Sequence, residues 1–157
     1  MLRRSISKIS NRIPAQEAEA HCDAPCGVYD PASARIAAEA VVTLTRKALA
    51  LERPEDDPQA RKAYHNTLTR FIMIKEEQAE IAKRELMILW HDYFKPEHLK
   101  DYPDLHDKFW NAAKAASKAK QELNEDRAMA LLSAVEEIHK IFWKTKGKDV
   151  PWITAAV

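Results

Sequence analysis

Residues 105–123 read LHDKFWNAAKAASKAKQEL. Leu105, Phe109, Ala112, Ala116, Ala119 and Leu123 recur at spacings of 4, 3, 4, 3 and 4, the period of one face of an α-helix. Most of the positions between them are charged or polar. The alanines keep the seam thin, so a neighbouring helix can approach closely. After a break at Asn124 or Glu125 the pattern resumes: Leu131, Val135, Ile138 and Phe142 repeat the seam to about Lys146, and Gly147 is a suitable residue just beyond a helix end. Two amphipathic helices joined by so short a loop pack antiparallel.

The same punctuation holds towards the N-terminus. Asp30-Pro31 is a capping residue followed by proline at the first helical position, and predicts a helix from about Pro31 to Leu51 with Ile36, Ala37, Ala40, Leu44 and Leu51 turned inward. Asp57-Pro58 repeats the signal and predicts a long helix to about Tyr93. Its stripe is Leu68, Ile72, Ala79, Ala82, Leu86 and Leu89, interrupted by Lys75. Phe94-Lys95-Pro96 stops it, Pro96 to Lys100 forms a short turn, and Tyr102-Pro103 opens the third helix. The expected fold is all-α: an antiparallel four-helix bundle over residues 31–147, with an extended tail at 148–157 that carries Pro151 and Trp152. Phe71, Trp90, Phe109, Trp110, Phe142 and Trp143 are expected in the core or at subunit contacts, since adjacent pairs point two ways from one helix.

Composition agrees. Two glycines in 157 residues leave little for hairpins, barrels or dinucleotide-binding loops. With 25 Lys+Arg against 24 Asp+Glu, the net charge of +1 gives no footprint for non-specific nucleic-acid binding. No apolar run is long enough for a membrane-spanning helix.

The N-terminal end is different in kind. Residues 1–20, MLRRSISKISNRIPAQEAEA, carry Arg3, Arg4, Lys8 and Arg12 against Glu17 and Glu19. The segment lacks the apolar stretch of a secretory signal, but its first part is Ser- and Arg-rich, as in an organelle transit peptide. It ends in Ala18-Glu19-Ala20, a small-x-small sequence of the kind peptidases cut. Both cysteines of the chain follow in HCDAPCGVYDP, residues 21–31. Cys22 and Cys26 are spaced like half of a zinc site, and the other half is missing; a disulfide or a thiol switch is the other reading of the pair. Cleavage after Ala20 changes the chemistry. The α-amine of His21, the amide nitrogen of Cys22 and the Cys22 thiolate then lie along one backbone and close two five-membered chelate rings. Cys26 supplies a fourth donor and the His21 imidazole reaches an axial position. A planar N2S2 set suits Ni(II) or Cu(II) rather than tetrahedral zinc. Pro25 and Gly27 help the chain fold back, and Ala24-Pro25 is a candidate cis peptide.

HCDAPCGVYDP closely resembles the metal-binding hook, H-C-D-x-P-C-G-x-Y-D-P, of the nickel-containing superoxide dismutase family. Ala34-Arg35-Ile36, Lys75-Glu76, Ala79-Glu80, Leu89-Trp90, Asp92-Tyr93-Phe94-Lys95-Pro96 and Ile141-Phe142-Trp143 extend the likeness over about residues 21–146. The resemblance implies a four-helix bundle assembled as a homohexamer, made with a propeptide (residues 1–20) that a processing peptidase removes after Ala20. It implies superoxide as the substrate and one nickel ion per subunit, alternating between Ni(II) and Ni(III). His21, Cys22 and Cys26 would bind the metal, Tyr29 would stand at the mouth of the site, Asp23 would shape the hook, and Tyr93 and Lys95 would hydrogen-bond near it. Reduced thiolates suit a reducing cytoplasm, with an organelle as the alternative that the basic leader suggests. Two positions depart from the family pattern. Ala37 stands where the family has a glutamate and Gln78 where it has an arginine, the pair that orients the axial imidazole. Either Gln78 or Glu39 takes over, or the imidazole is held more loosely. The nickel potential or the axial bond is then expected to differ.

Overall fold

The structure is a computed structural model, and it describes residues 27–155. Four helices form the body: α1 (Ala32–Leu49), α2 (Pro58–Ile88), α3 (Leu105–Gln121) and α4 (Glu125–Thr145). Each packs on its neighbours in a closed cycle, α1 on α2, α2 on α3, α3 on α4 and α4 on α1. The core is their shared interior, and no strand occurs among the described residues. No helix is long and apolar enough to cross a membrane among the described residues.

The expected starts and stops are largely those observed. Asp57 caps α2 by accepting the Gln59 N–H at 2.8 Å, with Pro58 at the first position. Asn124 caps α4 by accepting the Arg127 N–H at 3.1 Å. Gly147 closes α4 at φ +66°, where its N–H reaches Lys144 O at 2.9 Å and the Lys148 N–H reaches Trp143 O at 2.9 Å. That pair of bonds is a Schellman motif. Asp30 accepts the Ala32 N–H at 2.8 Å, and α1 begins one residue later than Asp30-Pro31 predicts. In α3, Leu105, Phe109, Ala112, Ala116 and Ala119 are all buried. Leu123 is 37% exposed, because the helix ends at Gln121 and the chain turns before it.

Two expectations are corrected. In α1 the buried line is Ala34, Ala38, Val41, Thr45 and Ala48, with Ala37 and Val42 beside it, whereas Ile36 is 57% exposed. Ala40, Leu44 and Leu51 are only partly buried. The large residues suggested one face, but the small ones occupy the seam, where close helix approach leaves no room for a longer side chain. In α2, Lys75 does not interrupt the stripe; it belongs to it. Lys75 is 2% exposed, and its ammonium donates to Ala119 O at 2.8 Å, Lys120 O at 2.9 Å and Glu122 O at 3.0 Å. These are carbonyls at the C-terminal end of α3, which have no partner inside their own helix. Burial pushes the Lys75 pKa down from its ordinary value, and the Glu76 carboxylate opposes that shift. The partially negative helix end and the three acceptors favour the charged form.

The tail packs as an extended arm across α4 and α1. The His139 ring bonds Val150 O at 3.2 Å and meets Trp152 edge-on at 5.2 Å, and the Ala155 N–H donates to the Glu39 carboxylate at 2.5 Å.

Candidate metal centre

His21, Cys22, Asp23 and Cys26, with the Ala24-Pro25 peptide and the leader 1–20, lie outside the described residues. The described chain starts at Gly27, whose φ of +67° is the left-handed conformation that glycine adopts without steric cost. From there Tyr29 enters a cavity of about 400 Å³. Gly27, Tyr29, Asp92, Tyr93, Lys95, Glu97, His98 and Lys146 line it. Thus Tyr29, Tyr93 and Lys95, picked out in separate parts of the sequence, meet around one opening. A second recess between α2 and α3 holds Trp90, Trp110, Lys83 and Lys114, and shares no residue with it.

The end of α2 positions this wall. Leu89–Tyr93 form a π-helical turn, and the Phe94 N–H closes it onto Leu89 O at 3.0 Å. The wider turn shifts the helix register by one residue, and such turns are frequent at functional sites. Consecutive residues can then both face the protein: Phe94 is 8% exposed and Tyr93 is half-buried. The Tyr93 ring lies 4.5 Å from Phe142, 5.7 Å from Tyr29 and 5.7 Å from His98, the last nearly parallel at 17°. Its hydroxyl is 2.6 Å from Thr145 Oγ1. Thr145 spends its own proton on Phe142 O at 2.7 Å, so Tyr93 is the donor in that pair. The phenol oxygen keeps lone pairs with which to accept a further hydrogen bond.

Lys95 sits just ahead of the proline-led 3-10 turn Pro96–Lys100, which His98 secures by accepting the Lys95 backbone N–H at 3.0 Å. His98 and Lys146 were not singled out by sequence reasoning. The signal for His98 was its place three residues after Lys95, and for Lys146 its place just ahead of the helix-ending Gly147. Asp92 and Glu97 complete the lining, so two carboxylates face two ammonium groups. Among the described residues no cluster of three or more His, Cys, Asp or Glu could hold a metal, in this cavity or outside it.

A four-helix bundle with a cavity lined by two tyrosines and two lysines, which the chain enters just after its two cysteines in sequence, has the frame of a small redox metalloprotein. The profile of the nickel-containing superoxide dismutase family matches residues 16–146. The nickel superoxide dismutase of Streptomyces coelicolor is 43% identical over 133 residues, covering 85% of this chain and 93% of that one. The enzyme of Streptomyces seoulensis is 44% identical over the same shares. A crystal structure of Ni-containing superoxide dismutase, with nickel ligation corresponding to the oxidized state, superposes with a TM-score of 0.70 at 44% identity. That match covers 82% of this chain and 100% of the other. The chain belongs to the nickel-containing superoxide dismutase family. It is an oxidoreductase with a nickel cofactor, and superoxide is its substrate.

Proposed function

We propose that the working enzyme begins at His21, after a peptidase removes residues 1–20, and that His21, Cys22 and Cys26 hold one nickel ion per subunit. The observation that carries this reading is continuity: the hook sequence 21–31 leads through Gly27 into the cavity that Tyr29, Tyr93 and Lys95 line. The donor chemistry fits the metal. The His21 α-amine, the Cys22 amide nitrogen, the two thiolates and the His21 imidazole would hold it, a set of nitrogen and thiolate donors that suits nickel. Before cleavage the amine is an amide and the set is incomplete.

Bound there, nickel would supply a one-electron Ni(II)/Ni(III) couple for the dismutation. Two superoxide anions and two protons become one oxygen and one hydrogen peroxide. The chain's part is access and protons. Tyr29 narrows the opening, and its hydroxyl can hold a water that carries a proton inward. The Tyr93 oxygen accepts from the same water, while Asp23 shapes the hook and Lys95 offers a cationic donor at the rim.

Homohexamer assembly is part of the proposal. Ile36, Met73 and Trp110 are 57%, 64% and 58% exposed, and a subunit contact would cover such large apolar side chains. A reducing cytoplasm keeps Cys22 and Cys26 as thiols until nickel arrives; the Ser- and Arg-rich leader would instead serve as an organelle address. N-terminal sequencing and metal analysis of the purified protein test the reading together. Histidine in the first cycle with one nickel per subunit supports it. An intact Met1 without nickel would favour a thiol switch at Cys22 and Cys26.

The axial imidazole carries a separate prediction. Ala37 is 1% exposed within the α1 seam and offers no polar atom beyond its backbone. Glu39 is engaged by Arg35 at 2.8 Å and by the tail at Ala155. Gln78, half-buried on α2, is the other candidate for the role, and without it the imidazole is held more loosely. Partners of a metal-bound imidazole set its orientation and basicity. The EPR signal of the oxidised protein is expected to differ in its axial component from that of relatives carrying the glutamate and arginine. An indistinguishable spectrum contradicts this.

A further inference from the structure

We propose that Lys146 draws the superoxide anion into the cavity, and that Asp92 opposes it. This rests on the cavity beside the hook being the way to the metal. Lys146 is fixed where it stands. Its N–H bonds Phe142 O at 3.3 Å and Trp143 O at 3.2 Å, and the Gly147 turn follows at once. Its ammonium lies over the Tyr93 ring at 5.1 Å and over the Phe142 ring at 5.2 Å. The side chain is half-buried and makes no ion pair among the described residues, whereas Lys108, Lys120 and Lys140 each meet a carboxylate directly.

The charge at the opening is finely balanced. Lys95 and Lys146 face Asp92 and Glu97, and His98 is the remaining titratable group besides the two tyrosines. Removing Lys146 leaves two carboxylates against one lysine and turns the opening repulsive to an anion. Clefts with low-dielectric walls focus such a field and change association rates. The effect matters most for a reaction close to the diffusional ceiling, where superoxide dismutases as a class operate. The chain's net charge of +1 includes +2 from the leader, so the whole-protein field of the processed enzyme cannot supply the attraction.

The test measures the second-order rate constant of the nickel-loaded enzyme across ionic strength, from about 10 mM to about 500 mM, over which the Debye length shrinks from about 30 Å to about 4 Å. Lys146→Gln is expected to lower the low-salt rate by about threefold to tenfold and to flatten or reverse its fall with salt. Lys146→Arg keeps the wild-type curve, Asp92→Asn raises the low-salt rate, and all curves converge at high salt. An activity-independent readout uses azide as the anion probe on the metal-free chain. Its effect on the Gly27 amide NMR resonance should need about threefold more azide in Lys146→Gln. A Lys146→Gln loss that is equal at every salt concentration, or no loss at all, overturns the proposal. Tyr29→Phe and Lys95→Gln separate the two levels. If they change the rate while Lys146→Gln does not, only the steering role fails. If none of the three changes it with nickel bound, the placement of the site fails as well.

Discussion

Serine in place of Cys26 is expected to empty the enzyme of nickel while leaving the bundle folded. A partner that merely orients a metal ligand is worth about 10–100-fold, so losing one of the two thiolates should cost on the order of 1000-fold or more in activity. Serine is nearly isosteric with cysteine, but its hydroxyl stays protonated near neutral pH and is a poor donor to a soft site. Cys26 precedes the four-helix core in the chain, and the buried core is built from residues 34 to 142. The expected change in stability is therefore within about 0.5 kcal/mol. Nickel per subunit, superoxide dismutation and thermal unfolding followed by circular dichroism check the three parts. A Cys26→Ser protein that keeps one nickel and wild-type activity would show that the donor set is wrong.

Lys75→Met should do the reverse, damaging the fold and sparing the chemistry. The substitution retains most of the aliphatic stem and removes the group that three carbonyls of the α3 end share. Leaving buried acceptors unmet costs roughly 1–3 kcal/mol each, less what water recovers. A net loss of about 3 kcal/mol is expected, or roughly 10 °C in melting temperature for a domain of this size. Activity per folded, nickel-loaded molecule at low temperature should stay near the wild-type value, because Lys75 does not line the cavity. A loss below about 1 kcal/mol would mean that solvent already satisfies those carbonyls.

The fate of Lys75 shows how far the sequence could be read. Its position in the 4-3-4 stripe between Ile72 and Ala79 is visible, but a charged residue there looks like a gap. That it reaches the end of another helix depends on where α3 stops, which no pattern within α2 contains. The seams of α3 and α4 were legible because their apolar residues, large ones or alanines, keep to a single register. The seam of α1 was not, since its inward residues are alanine, valine and threonine, and Ile36 and Leu44 drew attention to the wrong side. That Tyr29, Tyr93 and Lys95 line one cavity was legible through the hook and the Asp92-Tyr93-Phe94-Lys95-Pro96 run. Lys146 and His98 reach the same cavity only through the π-helical turn and the Schellman end of α4, both set by backbone geometry that leaves little trace in composition.

The proposed nickel site depends on a free amine at His21, so the most direct measurement compares two chains loaded with nickel under reducing conditions, one starting at His21 and one at Met1. The His21 chain should bind one nickel and dismute superoxide, and the Met1 chain should do neither until residues 1–20 are removed. Equal activity in both chains would contradict the amine ligand, and with it the role assigned to the leader.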